Sequence, residues 1–278
     1  FDRLDAPGLI KALALCGHWP ADMPATLDLD VLGITEDDIA ALVTEEERAR
    51  QEAEVKRRQI GFGDQQVTID ETNYPAIAQL VRERVSRQLL DVAPREVPLD
   101  TLASSTKEPR RREGRPGTTA GKQSRLSQTQ ISGIGLIGEV IVLEWLKAQY
   151  SDLTDDAWKS GYRNMVLGDG GGDDTLGYDF EVHHGKLRLL YEVKATVGDD
   201  TEFTLTPAEM ACAQQLRRNE RYRVVFVQHA LEPDAIAIRV LPNPMSPQYR
   251  QQYRFAGEGV RLRFVLSATK DPAESLDV

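Results

Sequence analysis

Asp179, Glu192 and Lys194 are the residues of this chain best suited to chemistry. Two carboxylates can hold a divalent cation such as Mg²⁺, and the cation polarises a phosphate and acidifies a water. An ammonium beside them can steady that water or the charge that builds on phosphorus. Phosphodiester hydrolysis needs such a set. Glu192 and Lys194 are two positions apart, so on a strand both leave the same face. An E-x-K triplet alone is more often a solvated strand face. Here its neighbours Leu189, Leu190, Tyr191 and Val193 are apolar. The strand is therefore expected to be central, where charges need partners or a metal.

The stretch around them, Gly177 to Thr196 (GYDFEVHHGKLRLLYEVKAT), is expected to be a β-hairpin. Val182, Leu187, Leu189, Tyr191 and Val193 are strand formers, and His184-Gly185-Lys186 can turn the chain. Asp179 then lies on the first strand. Thr196 extends the second on the face of Glu192 and Lys194, where its hydroxyl could hold phosphate or water, or cap the strand. His183 and His184 offer a base, but Glu192 and Lys194 already suffice for a metal–water mechanism, and both are read as turn residues without a role.

Other elements must position these groups. Ile131 to Tyr150 reads as a helix, with Ile134, Ile137, Ile141 and Trp145 on one stripe and Leu136, Val140 and Leu143 broadening it, so it packs on a sheet. Gly133, Gly135 and Gly138 let it approach closely or let a ligand reach its backbone; the spacing is not that of a phosphate loop. Glu139 is the one acid between Ile131 and Leu143. Buried alone it would be costly; as a partner for metal or for Lys194 it makes sense. Asp169-Gly-Gly-Gly-Asp173-Asp174 lacks the ligand order of a calcium loop and is expected to be a mobile loop beside the site. Phe203–Leu205 is a short strand. Thr206-Pro207-x-Glu209 is an N-cap, a proline at the first helical position and a capping-box acid, which accounts for Thr206 and Glu209 structurally. That helix is expected to reach Arg218. Arg217, Arg218, Arg221 and Arg223 form a basic cluster suited to a nucleic-acid backbone. Tyr222–Val227, Ile236–Leu241 and Arg261–Leu266 read as further strands.

Four motifs in order carry a resemblance: Gly135-x-x-Gly138-Glu139, Gly177-Tyr178-Asp179, Glu192-Val193-Lys194-Ala195-Thr196, and Leu205-Thr206-x-x-Glu209 followed by Ala213. Residues 133–227 resemble the restriction-endonuclease-like nuclease superfamily, named for its Pro-Asp…Asp/Glu-x-Lys pattern. More narrowly, they resemble the domain at the C-terminus of the plant NO VEIN protein and of many large bacterial proteins. Gly-Tyr before Asp179, in place of Pro, suits the narrower family. The resemblance implies an α/β fold of restriction-endonuclease type, a mixed sheet flanked by helices. It implies Asp179, Glu192 and Lys194 as catalytic residues, and Mg²⁺ (or Mn²⁺) on Asp179 and Glu192. By the same resemblance Glu139 completes the metal site, Asn164 orders the approach to Asp179, and Gln214 faces the site. It further implies upstream domains of the same protein, ATPase or helicase-like. Such domains also occur as inactive binding modules.

The rest of the sequence frames this domain. With 41% hydrophobic and 28% charged residues the chain reads as soluble and globular. A net charge of −10 argues against a protein coated for nonspecific DNA binding. Cys16 and Cys212 lie far apart, as in a reduced, cytoplasmic protein. No 18-residue apolar run suggests a membrane span. The chain opens on Phe1, which reads as a piece of a longer protein or a trimmed chain. Residues 1–100 read as a mainly helical, acidic connecting region. Leu9–Leu15 is a short helix, Glu36 to about Gln59 a charged one capped at Thr35, Gln66–Ile69 a strand and Tyr74–Leu90 a helix. His18 and Cys16 alone do not make a zinc site. Residues 101–126 form a basic linker, where Lys107, Arg110, Arg111, Arg112, Arg115, Lys122 and Arg125 face only Glu108 and Glu113. It is expected to be a disordered linker; the alternative is an arginine arm on a nucleic-acid backbone. Residues 127–270 form the nuclease-like domain and 271–278 a tail. The reading is metal-dependent hydrolysis of DNA or RNA, DNA first, within a larger genome-defence (phage-defence) or nucleic-acid-processing protein. The alternatives are a non-cleaving nucleic-acid binding module and a structural domain of a large assembly.

Overall fold

The structure is a computed structural model and describes residues 36–70, 72–100, 126–255 and 261–267. The expectations for Leu9–Leu15, Cys16, His18, the Thr35 cap, the arginines Arg110, Arg111, Arg112 and Arg115, and the tail lie outside the described residues. The chain divides into two compact units, Phe1–Arg57 and Arg58–Val278. Helix α1 (Glu36–Arg58) belongs to the first but for its last residue, and its residues 47–58 are exposed, as their lack of an apolar face requires. Among the described residues no helix is long and apolar enough to cross a membrane.

The second unit is an α/β structure around a mixed sheet. A hairpin of β1 (Gln59–Phe62) and β2 (Gln65–Thr68) opens it. Helices α2 (Tyr74–Arg84) and α3 (Arg87–Leu90) follow, where the apolar stripe predicts one helix to Leu90; the chain turns extended at Val85. Then come α4 (Gln128–Gln149) and α5 (Gly161–Leu167). The central strands are β3 (Phe180–His184), β4 (Leu187–Ala195), β6 (Glu220–Gln228) and β7 (Ala237–Pro242), hydrogen-bonded in that order. β3 runs antiparallel to β4, β4 parallel to β6, and β6 antiparallel to β7. β5 (Glu202–Thr204), β9 (Arg261–Arg263) and β8 (Arg254–Phe255) form a second small sheet, and α6 (Pro207–Gln214) lies between β5 and β6 in sequence. α6 stops short of the expected Arg218. Asn243 Nδ2 donates to the Ala213 carbonyl at 2.7 Å, taking one of the acceptors that the last turn leaves open.

The sheet sorts its side chains by parity. Leu189, Tyr191 and Val193 of β4 join one core with Ile137, Val140 and Ile141 of α4. Leu190 joins the opposite core with Tyr222, Val224 and Phe226 of β6, Phe203 and Leu262 of the small sheet, and Ala213 of α6. The even-numbered face, which also carries Glu192 and Lys194, therefore turns toward α6. Ile60, Phe62, Ile69, Ile77, Val81 and Leu89 belong to the same core as α4. The division at Arg57 therefore falls inside the region expected to connect as far as residue 100. Residues from Ile60 onward bury apolar side chains against α4 rather than linking to it.

α4 begins at a full capping box: Ser127 Oγ accepts from Gln130 N and Gln130 Oε1 accepts from Ser127 N. Gly138 lets it meet the sheet. A Cβ there would stand 2.6 Å from Ala195 Cβ on the last residue of β4. Gly138→Ala is expected to lower unfolding free energy by about 1–3 kcal/mol through overpacking, measured by urea denaturation. Because Glu139 is the next residue, the same change should also displace its carboxylate.

Candidate active site

The hairpin forms as its sequence predicts, with Gly185 at φ 60° in a two-residue turn between His184 and Leu187. Phe180 pairs with Tyr191, so Asp179, one residue before β3, falls opposite Glu192. There the strands fork. Asp179 N still donates to Tyr191 O at 2.9 Å, but Val193 N turns to the Asp179 side chain, donating to Oδ2 at 2.7 Å. Gly177 at φ 75° makes the sharp approach; a Cβ there would sit 2.5 Å from the Ala208 carbonyl oxygen of α6.

Lys194 Nζ donates to Glu192 Oε1 at 2.7 Å and to Glu209 Oε2 at 2.9 Å. Glu209 also closes the α6 capping box, its Oε2 accepting from Thr206 N at 3.0 Å. The sequence explanation of Glu209 as a cap was therefore incomplete. The cap fixes a carboxylate that reaches across to the strand.

Glu139 arrives from the other side of the sheet on α4. Its Oε2 accepts from Trp158 Nε1 at 2.6 Å and from Ser160 Oγ. Trp158 is itself buried and stacked on Phe180. Neither Trp158 nor Ser160 stands out in the sequence. They follow a 3₁₀ turn in an irregular stretch, with no periodic pattern to mark them.

Glu139, Asp174, Asp179, Glu192, Lys194 and Glu209 line one cleft of about 420 Å³, together with Tyr162 and Thr206. Among the described lining residues five are carboxylates and one is a cation. Burial, then the charge of Glu139, raises Asp179 well above the ordinary carboxylate range. Burial, then the charge of Asp179, does the same to Glu192. Burial pushes Glu139 up to about 8 against the hydrogen bonds of Ser160 and Trp158, with Glu192 adding to the rise. Burial alone would lower Lys194, but the charges of Glu192 and Glu209 outweigh it and hold the ammonium charged.

The shift at Glu139 has a defined sign. Its folded-state value lies above the ordinary 4.5, so its contribution to stability is full below that value and is lost as pH rises through about 8. Without divalent cation, the protein is expected to lose stability between pH 5 and pH 9, read as falling urea midpoints in chelator. Glu139→Gln keeps an acceptor for Trp158 and Ser160 and should flatten that slope, though Asp179 and Glu192 contribute with the same sign.

The other sequence-predicted residues lie elsewhere. Gln214 does not face the cleft: its Nε2 donates to Met245 Sδ at 3.6 Å. It stands five positions beyond Glu209 on α6, about 140° around the helix, so the two cannot share a face. Asn164 is not in the cleft; its side chain clamps Gly172, accepting from N at 2.7 Å and donating to O at 3.0 Å. The loop expected to be mobile is tied down there, and again where buried Arg163 pairs with Asp169 at 2.6 Å and Asp174 accepts from Gly161 N. Thr196 lies past β4 outside the cleft lining, its backbone bonded to Val227 and Ala230. Arg217, Arg218 and Arg221 sit at the opposite end of the sheet. Arg188 is opposite Glu220, and six residues of strand, roughly 20 Å, separate it from Lys194. Arg221 donates to the Arg218 and Glu220 carbonyls, and Arg223 pairs with Glu96 at 2.9 Å. His183 pairs with Glu181 and His184 meets the Tyr150 ring edge-on. Both line a larger cleft of about 670 Å³ at the hairpin turn, whose lining includes neither Asp179 nor Glu192.

Among the described residues no three His, Cys, Asp or Glu side chains surround a common point as a ready metal site. The donor set still suits a hard divalent cation. Its carboxylates raise one another, and the hydrogen bonds named above use Glu139 Oε2, Asp179 Oδ2 and Glu192 Oε1, so the second oxygen of each takes no part in them. No curated protein and no solved structure matches the chain. The stretch from Gly138, beside the helix acid, to Val240 in β7 does match a family model, that of Protein NO VEIN, C-terminal, over residues 138–240. The chain carries a NO VEIN C-terminal domain.

Proposed function

We propose that this domain hydrolyses phosphodiester bonds of nucleic acid, DNA first, using Mg²⁺ or Mn²⁺. The observation that carries the reading is the cleft at the β3–β4 fork, where five carboxylates face one lysine. Such a surface would repel a phosphate until a cation offsets it. Asp179, just before β3, and Glu192, opposite it on β4, would hold the cation, with Glu139 joining directly or through water. A cation bound there would act as a Lewis acid on the phosphate and on an attacking water. Trp158 and Ser160 hold one Glu139 oxygen and so aim the other. Lys194 stays an ammonium, and therefore orients a water or offsets charge on phosphorus rather than taking a proton. The mixed sheet with helices on both faces supports a restriction-endonuclease-like arrangement. A reduced, cytoplasmic setting within a larger genome-defence or nucleic-acid-processing protein completes the reading, with ATPase or helicase-like domains upstream; among the described residues Cys212 forms no disulfide.

Among the described residues no three ligands converge, and this favours one second reading, a non-cleaving nucleic-acid binding module. Incubation with single- and double-stranded DNA and RNA, in Mg²⁺, Mn²⁺ or chelator, separates the two. A nuclease cuts at least one substrate and only with metal. A binding module retains substrate uncut in every condition.

A further inference from the structure

We infer that Glu209 is the positioning residue of Lys194, holding its ammonium in place so that a cation on Glu192 need not displace it. The inference rests on the metal-site reading above and adds a residue to it. Glu192 holds the ammonium on Oε1 at 2.7 Å and has its other oxygen to offer the proposed cation. Two positive charges on one carboxylate compete, because ammonium and metal repel each other. A second anchor resolves the conflict. Glu209 Oε2 lies 2.9 Å from Nζ on the helix side. Its carboxylate cannot swing away, because the same oxygen accepts from Thr206 N at the start of α6. Asn243 fixes the far end of that helix through Ala213 O. Lys194 is thus suspended between a strand carboxylate and a helix carboxylate. When Glu192 turns to a cation, Glu209 keeps the ammonium at the rim of the cleft.

The test uses Glu209→Gln, since glutamine at this position preserves the capping box and removes only the charge. Thr206→Ala is the control: it weakens the cap but leaves the backbone N–H that donates to Glu209. In chelator, nitrogen-15 NMR follows hydrogen exchange of the Lys194 ammonium. Glu209→Gln should speed exchange by about tenfold, the effect of replacing a charged acceptor with a neutral one, and Thr206→Ala should change it little. Equal acceleration in both variants, or none in Glu209→Gln, overturns the inference, as does a wild-type ammonium exchanging as fast as exposed lysines. Mn²⁺ titration followed by electron paramagnetic resonance then runs a double-mutant cycle. Glu209→Gln should weaken Mn²⁺ by about tenfold in the wild type, through the ammonium crowding Glu192. In a Lys194→Met background it should have a much smaller effect. An equal loss in both backgrounds would show Glu209 acting on the cation itself and overturn positioning through Lys194. If wild-type protein takes up no Mn²⁺, the metal reading fails, and ammonium exchange alone judges the inference.

Discussion

Lys194→Met is expected to lower metal-supported cleavage by roughly 10²–10³-fold, the range for losing one preorganised charge at a transition state. Metal uptake should survive. Asp179, Glu192 and Glu139 all remain, and Glu192 is relieved of its ammonium at 2.7 Å. Mn²⁺ should bind as tightly as in the wild type or more so. The split follows from geometry: Lys194 bonds to Glu192 but supplies no oxygen. A variant that lost cation and cleavage together would place Lys194 in the architecture of the metal site instead. Single-turnover cleavage, with Mn²⁺ affinity measured on the same preparations, makes the comparison.

The second large effect runs in opposite directions on activity and stability. Asp179→Asn combined with Glu192→Gln should reduce cleavage by at least about 10³-fold and remove specific Mn²⁺ binding. In chelator at pH 8 the same protein should melt above the wild type. Burial and mutual repulsion push both acids well above their ordinary range, so each ionised form is a cost to the metal-free fold. The amides keep the shapes. The amide oxygen that Asp179→Asn introduces can still accept from Val193 N, as the Asp179 carboxylate does, and Lys194 keeps Glu209. At pH 5, where protonation already relieves the wild type, the difference should shrink. Thermal melts in chelator at both pH values check this; a uniform fall in stability would mean that the acids hold the strands together by their charge.

The hairpin was legible because it obeys local rules. Alternating strand formers flank a glycine that the turn requires, and the apolar run around Glu192 marked a central strand, which β4 is. Glu139 stood out as an acid in an apolar helix and reaches the cleft. Glu209 was hidden behind a sufficient local explanation: once a capping box accounts for an acid, its sequence gives no sign of a partner fifteen positions upstream on another element. Gln214 failed for want of phase. Its placement needed to know which face of α6 met the sheet, and that is set by Ala213 and the second core rather than by the helix's own pattern. Ile60 and Phe62 were unread as a strand because they follow a long charged helix without a break. Their partners in the α4 core, Ile137 and Val140 among them, lie far along the chain. Residue type and spacing reveal what one element does; which loop residue meets which acid depends on tertiary contacts without a local signature.

On the proposed function, Asp179 and Glu192 hold a divalent cation. Anomalous diffraction from crystals of this domain grown in Mn²⁺ would locate that cation. A peak is expected at the β3–β4 fork, about 2.1 Å from a carboxylate oxygen of each residue, with Glu139 bound directly or through one water. Crystals saturated with Mn²⁺ that show no peak between Asp179 and Glu192, with Lys194 still seated on Glu192, would contradict it.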